Sequence, residues 1–362
     1  MDSIHGSETE EDNVNRNENL FNDKDEYLEG DVPVQEGLDY KGVIEKFEID
    51  PNALKIIEAL GKGRFSQVYM GILSMPAEDK LVAVKATHIK LDSVNAIESA
   101  GGHENVLKLM GAITTTRTKF SLITEYCERG SLDRFLQAKR KNENFEDELI
   151  FEENGNEEFW KIQRDANWGK NYQSRRDNGL ITTSDLMWFA LQIARGMQFL
   201  ASMNITHRNR ALHNILLKSN FTVKVADFGQ AKISKDSDYA YNNWRKETVL
   251  LARYTALESL KSGHFSITSE LWSFGVNVWE IFTFAEKRPY SAQFDSDEND
   301  MHIHNFLIEY LSSGNRLSIP NNVPQQIRRL LSRLWDSDPK QRPSFQDCEE
   351  VIEKELMQSC PN

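Results

Sequence analysis

Three polar side chains in this 362-residue chain stand where their neighbours give them chemical use. Lys85 lies inside the apolar, β-branched run LVAVKA; a lysine pointing inward from such a strand is seldom decorative, because burying its charge unpaired is costly. Asp227 ends the apolar run at 223–226, precedes Phe228 and Gly229, and stands thirteen residues after Asn214, the last residue of the string HRNRALHN. Carboxylate and amide oxygens suit a hard cation such as magnesium. Upstream, KIIEALGKGRFSQVYMG turns through Gly61 and Gly63, and glycine lets backbone amides approach a phosphate closely. A cation on a strand and a glycine turn suit an anionic ligand, and oxygen side chains suit a hard cation. The string at 207–214 also carries Asn209, whose amide has no basic site near physiological pH.

The elements that would position these groups follow one order. KIIEALG alternates like a strand, the pattern resumes at Val68, and LVAVKA gives the next strand. After HRNRALHN and VKVADFGQAK come ALE at 256–258, ELWSFGVNVWEIFTF and DPKQRPSF. Together these strings resemble protein kinases: the glycine loop, the strand lysine, the catalytic loop, the metal-binding Asp-Phe-Gly, the end of the activation segment, the central helix of the large lobe and its closing arginine motif. The resemblance runs from about residue 47 to residue 356. It implies an α+β fold of two lobes, a small β-rich N-lobe with a helix C and a larger, mainly α-helical C-lobe. The expected layout is an acidic, disordered tail at 1–45 and a kinase-like domain at 46–357, divided into N-lobe 54–125 and C-lobe 126–357. An insert at 139–178 and an activation segment at 227–258 belong to the C-lobe.

GSLDRFL, WSFGVNVWE, SGNRLSIP and LWDSDPKQRPSF are similar to tyrosine kinases, especially receptors of the fibroblast and platelet-derived growth factor classes. FEIDPNALKII resembles the segment that leads into their kinase domains. Their insert slot is filled here by a polar, charge-mixed run with Phe145, Phe151, Trp160 and Trp168. Without a sustained period it reads as a mobile surface loop, with docking on a partner through its aromatic residues as the alternative.

By this resemblance Lys85 reaches the α and β phosphates of ATP, Asn214 and Asp227 hold Mg2+, and Val68 and Ala83 line the adenine slot. Thr124 is the gatekeeper, followed by Glu125, Tyr126 and Cys127 in the hinge. Asn209 occupies the place of the aspartate that accepts the substrate hydroxyl's proton. Other departures accompany it: Ser66 for the third glycine, Arg210 for an apolar anchor, His213 for an arginine, Glu270 for the aspartate that holds the catalytic loop, and Leu257 and LLARY for proline-bearing substrate segments. The stretch from Lys85 to His103 is short, so ungapped counting puts Ser93 where helix C should supply its glutamate, and Glu98 serves only if the helix is shifted. Glu258 and Arg342 match the ion pair bracing the activation segment, and His207 and Phe228 match core residues of the family. Tyr239 and Tyr241 stand where receptor kinases are phosphorylated, with Arg208 as a phosphate partner; two exposed aromatic residues is the equal alternative.

Residues 1–32 hold 11 acidic and 2 basic residues and so carry −9 of the net −13. Such composition predicts disorder, and the overall acidity excludes nucleic acid as a partner. Cys127, Cys348 and Cys360 form no metal-ligand spacing and read as reduced thiols. No apolar run is long enough to span a bilayer, and the acidic N-terminus does not read as a signal peptide, so a cytoplasmic protein without direct membrane insertion is expected, recruited to the plasma membrane only through a partner. The leading functional expectation is a pseudokinase that binds MgATP and serves an active tyrosine kinase or signalling receptor as a protein partner. The alternatives are a slow protein tyrosine kinase and a scaffold that has lost nucleotide.

Overall fold

The computed structural model describes residues 47–62, 66–87, 91–114, 120–154, 157–162, 174–208, 211–233, 239–240, 249–294 and 302–359. They fall into two units, Met1–Gly101 with Leu107–Cys127 and Gly102–Val106 with Glu128–Asn362. The tail at 1–45, Gly63, Asn209, Arg210, Trp168, Tyr241 and Cys360 lie outside the described residues.

The first unit is an antiparallel sheet of β1 (Leu54–Lys62), β2 (Ser66–Leu73), β3 (Lys80–Thr87), β4 (Leu109–Thr114) and β5 (Phe120–Glu125), in the order β1-β2-β3-β5-β4, with one helix, α1 (Leu91–Ala100). Alternation decides which face is buried. In β3, Val82 and Val84 are wholly buried and join Leu54, Ile56, Leu73, Ile113 and Ile123 in one cluster. Each such side chain contributes about 1.5–3 kcal/mol by leaving water. The lead-in segment is fixed to the same sheet: the Ile49 N–H donates to the Ala112 carbonyl at 2.8 Å. Gly111 makes that possible, since a Cβ there would sit 2.0 Å from Ile49 Cδ1.

The second unit is mainly helical. α2 (Leu132–Lys141) is followed by β6 (Phe145–Glu146), the hairpin β7 (Leu149–Asn154) with β8 (Glu157–Ile162), β9 (Ile181–Thr182) and α3 (Thr183–Ser202). The Thr182 hydroxyl and the Asp185 carboxylate form a reciprocal cap at the start of α3. Three short pairs carry the next stretch: β10 (Ile205–Thr206) with β13 (Lys232–Ile233), β11 (Ile215–Leu217) with β12 (Val223–Val225), and β14 (Tyr239–Ala240) with β15 (His264–Phe265). Around them stand α4 (Leu257–Ser262), α5 (Ile267–Phe282), α6 (His302–Ser312), α7 (Gln325–Leu334) and α8 (Phe345–Ser359). Nearly every residue of α5 is buried, including the polar Ser269, Glu270, Ser273, Asn277 and Glu280. Arg195 on α3 ties down α8 through Glu349 and Glu353, at 2.8 and 2.9 Å. No described helix is long and apolar enough to cross a membrane.

The insert departs from the loop expected for it. Residues 149–154 pair antiparallel with residues 157–162, Phe151 opposite Trp160, and β6 pairs in parallel with β9. Period-2 alternation in LIFEEN and EEFWKI is short and broken by glutamates, so it does not stand out in the sequence. The base of the insert is closed by charge: Arg176 bonds Asp185 at 2.9 Å and Lys139 donates to the Gly179 carbonyl. The guanidiniums of Arg129 and Arg176 lie 4.3 and 4.7 Å from the Phe221 ring centroid, close enough for cation–π attraction.

Candidate functional site

In the first unit, strand register gathers the candidate residues. Gly61 pairs with Val68, Val68 with Lys85 and Lys85 with Leu122; one step along, Met70 pairs with Ala83 and Ala83 with Thr124. Directly opposed residues and residues two apart share a face. Gly61, Val68, Ala83, Lys85 and Thr124 therefore occupy two adjacent rows on one face of the sheet, and Val82, Val84 and Ile123 occupy the other. Lys85 is half-buried and Thr124 is 7% exposed. Glu125 pairs with Val82, so it belongs to the opposite face; its carboxylate accepts from the Lys108 N–H at 2.9 Å. Cys127 is buried. α1 is ten residues long, with Ala96, Ile97 and Ala100 buried and Glu98 half-buried; Ser93 lies one turn nearer its start.

In the second unit, Asn214 ends a 3-10 turn, Leu212–Asn214, and is 8% exposed. Its carbonyl accepts from the Ala226 N–H at 3.0 Å, and the β11–β12 pair holds that contact in register, so Asn214 and Asp227 are fixed together. Asp227 sits at φ 58° and ψ 71°, and its carboxylate accepts from the Gly229 N–H at 3.3 Å. A left-handed residue other than glycine costs on the order of 1–3 kcal/mol, somewhat less for Asp, and such strain gathers at functional positions. Phe228 is buried against the His207 ring, edge to face at 4.8 Å.

The loop before Asn209 is clamped. Glu270, 2% exposed on α5, accepts from the His207 N–H at 3.0 Å and the Arg208 N–H at 3.3 Å with its two oxygens. The methylene that distinguishes it from aspartate is absorbed. Arg208 donates through Nε to the Gln230 carbonyl at 2.7 Å. Arg342 grips Glu258 with both ends of its fork, at 2.6 and 2.8 Å, and also donates to the carbonyls of Asp336 and Thr268. Residues 249–254 form a 3-10 segment in which Arg253 donates to the Pro289 and Phe294 carbonyls. Among the described residues no cluster of three or more His, Cys, Asp or Glu could hold a metal. A cleft of about 560 Å³ lined by Arg140, Phe145, Trp279, Phe282 and Phe284 bears none of the candidate residues.

Residues 54–352 match the family described as protein tyrosine and serine/threonine kinase. The chain belongs to that family. It is 33% identical over 353 residues to the receptor-like tyrosine-protein kinase kin-15 of Caenorhabditis elegans, covering 91% of this chain and 70% of that protein. It is 31% identical to vascular endothelial growth factor receptor 1 of Rattus norvegicus and 28% identical to a fibroblast growth factor receptor of Halocynthia roretzi, spanning 25% and 42% of those proteins. This kinase homologue thus aligns with a fraction of each of those receptors.

Sequence reading passed over one group in the second unit. The Tyr254 hydroxyl donates to Glu280 at 2.8 Å, and Glu280 is buried on α5 with Asn277 three residues before it. The available signal was two polar residues inside GVNVWEIF, a run otherwise apolar.

Proposed function

We propose that this chain is a catalytically impaired tyrosine kinase homologue, a cytoplasmic pseudokinase that binds MgATP and acts as an allosteric or scaffolding partner of an active tyrosine kinase or receptor. The observation that carries it is Asn209 at the position of the proton acceptor, combined with Lys85, Asn214 and Asp227 at the positions of the phosphate and metal ligands. Phosphoryl transfer depends mostly on positioning and electrostatics. In this reading Lys85 holds the phosphates, Asn214 and Asp227 hold Mg2+, which neutralises phosphate charge when bound, and Val68, Ala83 and Thr124 line the base. The hinge at Glu125 and Cys127 adds backbone contacts, and Gly61 and Gly63 give room over the phosphates.

Gly61 supports the fit. It stands in a strand without positive φ, and a Cβ there would meet nothing within 4 Å. Folding alone does not ask for glycine at that place, whereas a ligand approaching the backbone does. Gly61→Ala is expected to leave stability unchanged or raise it by up to about 1 kcal/mol, while weakening MgATP binding on the order of tenfold. Paired melting and calorimetric titration check both halves. Equal affinity in the two proteins would remove the loop from the site.

The binding claim is tested by thermal denaturation. MgATP at about 100 times its dissociation constant adds about 2.7 kcal/mol, with a smaller gain in Lys85→Met. No shift at millimolar MgATP in a folded sample would sink that part of the reading.

The clamp of Glu270 on residues 207 and 208 favours a second reading, a slow protein tyrosine kinase in which Asn209 only orients the hydroxyl. It requires transfer by wild type that Lys85→Met abolishes.

A further inference from the structure

β7 and β8 form a sheet of two strands, and neither pairs with a third strand among the described residues. Each therefore presents an outer row of backbone N–H and C=O groups, which is a template for another extended chain. Two strands alone are marginal in water, and a third stabilises them.

The base of this ribbon is fixed. Just before β7, Glu148 is 7% exposed, and its carboxylate accepts from the Ser184 N–H in the first turn of α3 at 2.8 Å. Asp147 accepts from the Leu149 N–H at 3.0 Å and from the Thr183 hydroxyl at 3.1 Å. Ile162, the register partner of Leu149, is 5% exposed. An edge anchored in this way is in place before a partner arrives, so less ordering entropy opposes binding.

The paired residues carry four glutamates and one lysine, a net −3. Register sets Phe151 opposite Trp160 and, two residues on, Glu153 opposite Glu158. Like charges directly across a ladder destabilise it, so the ribbon keeps this pair against its own stability. Charge also decides among occupants. A second copy would set glutamates against glutamates, and residues 1–32 of this chain carry −9; both are repelled. A basic strand brings cations to the opposed glutamates while its backbone completes the edge.

We propose that the β7–β8 ribbon is a docking edge for an extended, lysine- or arginine-bearing segment of a protein partner, which adds to it as a third strand. Backbone pairing supplies the attachment. Alternate residues of the incoming strand fall on one face, so basic residues at every second position stand beside the glutamates of that face.

The test uses the full chain and two peptides of six residues, the length of each strand. One alternates lysine with valine and the other lysine with proline. Their charge is equal, but proline cannot donate to a ladder. The expected result is binding of the valine peptide with slower amide exchange in residues 149–154 or 157–162, and binding of the proline peptide weaker by about tenfold or more. Glu153→Gln with Glu158→Gln removes the opposed charges, which relieves the ribbon, and is expected to weaken the valine peptide about tenfold. No binding, equal binding of the two peptides, affinity unchanged in the double variant, or no protection in either strand overturns the proposal. Dimerisation of the wild type that protects the same amides also overturns it, since the edge then belongs to a second copy.

Discussion

Asn209→Asp is expected to raise phosphate transfer to a tyrosine polymer by roughly 10²–10⁴-fold, the usual contribution of a positioned general base. A carboxylate accepts a proton at this position and an amide does not. The flanks of the loop are already set: Glu270 holds the amides of His207 and Arg208, and Ala211 and Leu212 are buried just beyond. Exchanging one planar side chain for another of the same size should leave them in place. The assay is radiolabel incorporation, with the Lys85→Met, Asn209→Asp double variant as the blank. A silent Asn209→Asp protein that still binds MgATP would move the lesion to the altered segment at 250–257, where LLARY and Leu257 stand in place of the expected proline-bearing segments.

Glu258→Ala is expected to destabilise the second unit by about 3–5 kcal/mol, because it leaves the Arg342 guanidinium as an uncompensated buried cation. The Arg342 side chain is 0% exposed and that of Glu258 is 29% exposed. Two charge-assisted bonds of 2.6 and 2.8 Å are lost together, along with an acid in the first turn of α4, where it favours the helix dipole. Urea denaturation checks this as a lower midpoint with unchanged slope. A loss below about 1 kcal/mol would place the pair with ordinary surface ion pairs.

These two expectations differ in how much of them the sequence carried. Glu258, Arg342 and Glu270 were legible because each stands at a fixed distance from a motif of distinctive composition, and such pairs need only the right side chains in the right order. The N-lobe face was legible too, since strict alternation in LVAVKA puts Lys85 and Ala83 on one side and Val82 and Val84 on the other. The insert hairpin was not, because its alternation lasts six residues per strand and is diluted by glutamates. The left-handed backbone of Asp227 was also invisible, because the order of residue types does not mark which non-glycine position adopts it. Asn277 and Glu280 escaped notice for a different reason. On an apolar helix a polar residue reads as an exception until its neighbours are known, and those neighbours, Tyr254 and Leu212, come from distant parts of the chain.

Impaired transfer with retained nucleotide is tested most directly by loading the folded wild-type chain with radiolabelled MgATP and following the label through a single turnover in the presence of a tyrosine polymer. The account predicts bound nucleotide recovered as ATP with no label on tyrosine. Label appearing on tyrosine in wild type and absent in Lys85→Met would contradict it and make this chain a slow enzyme.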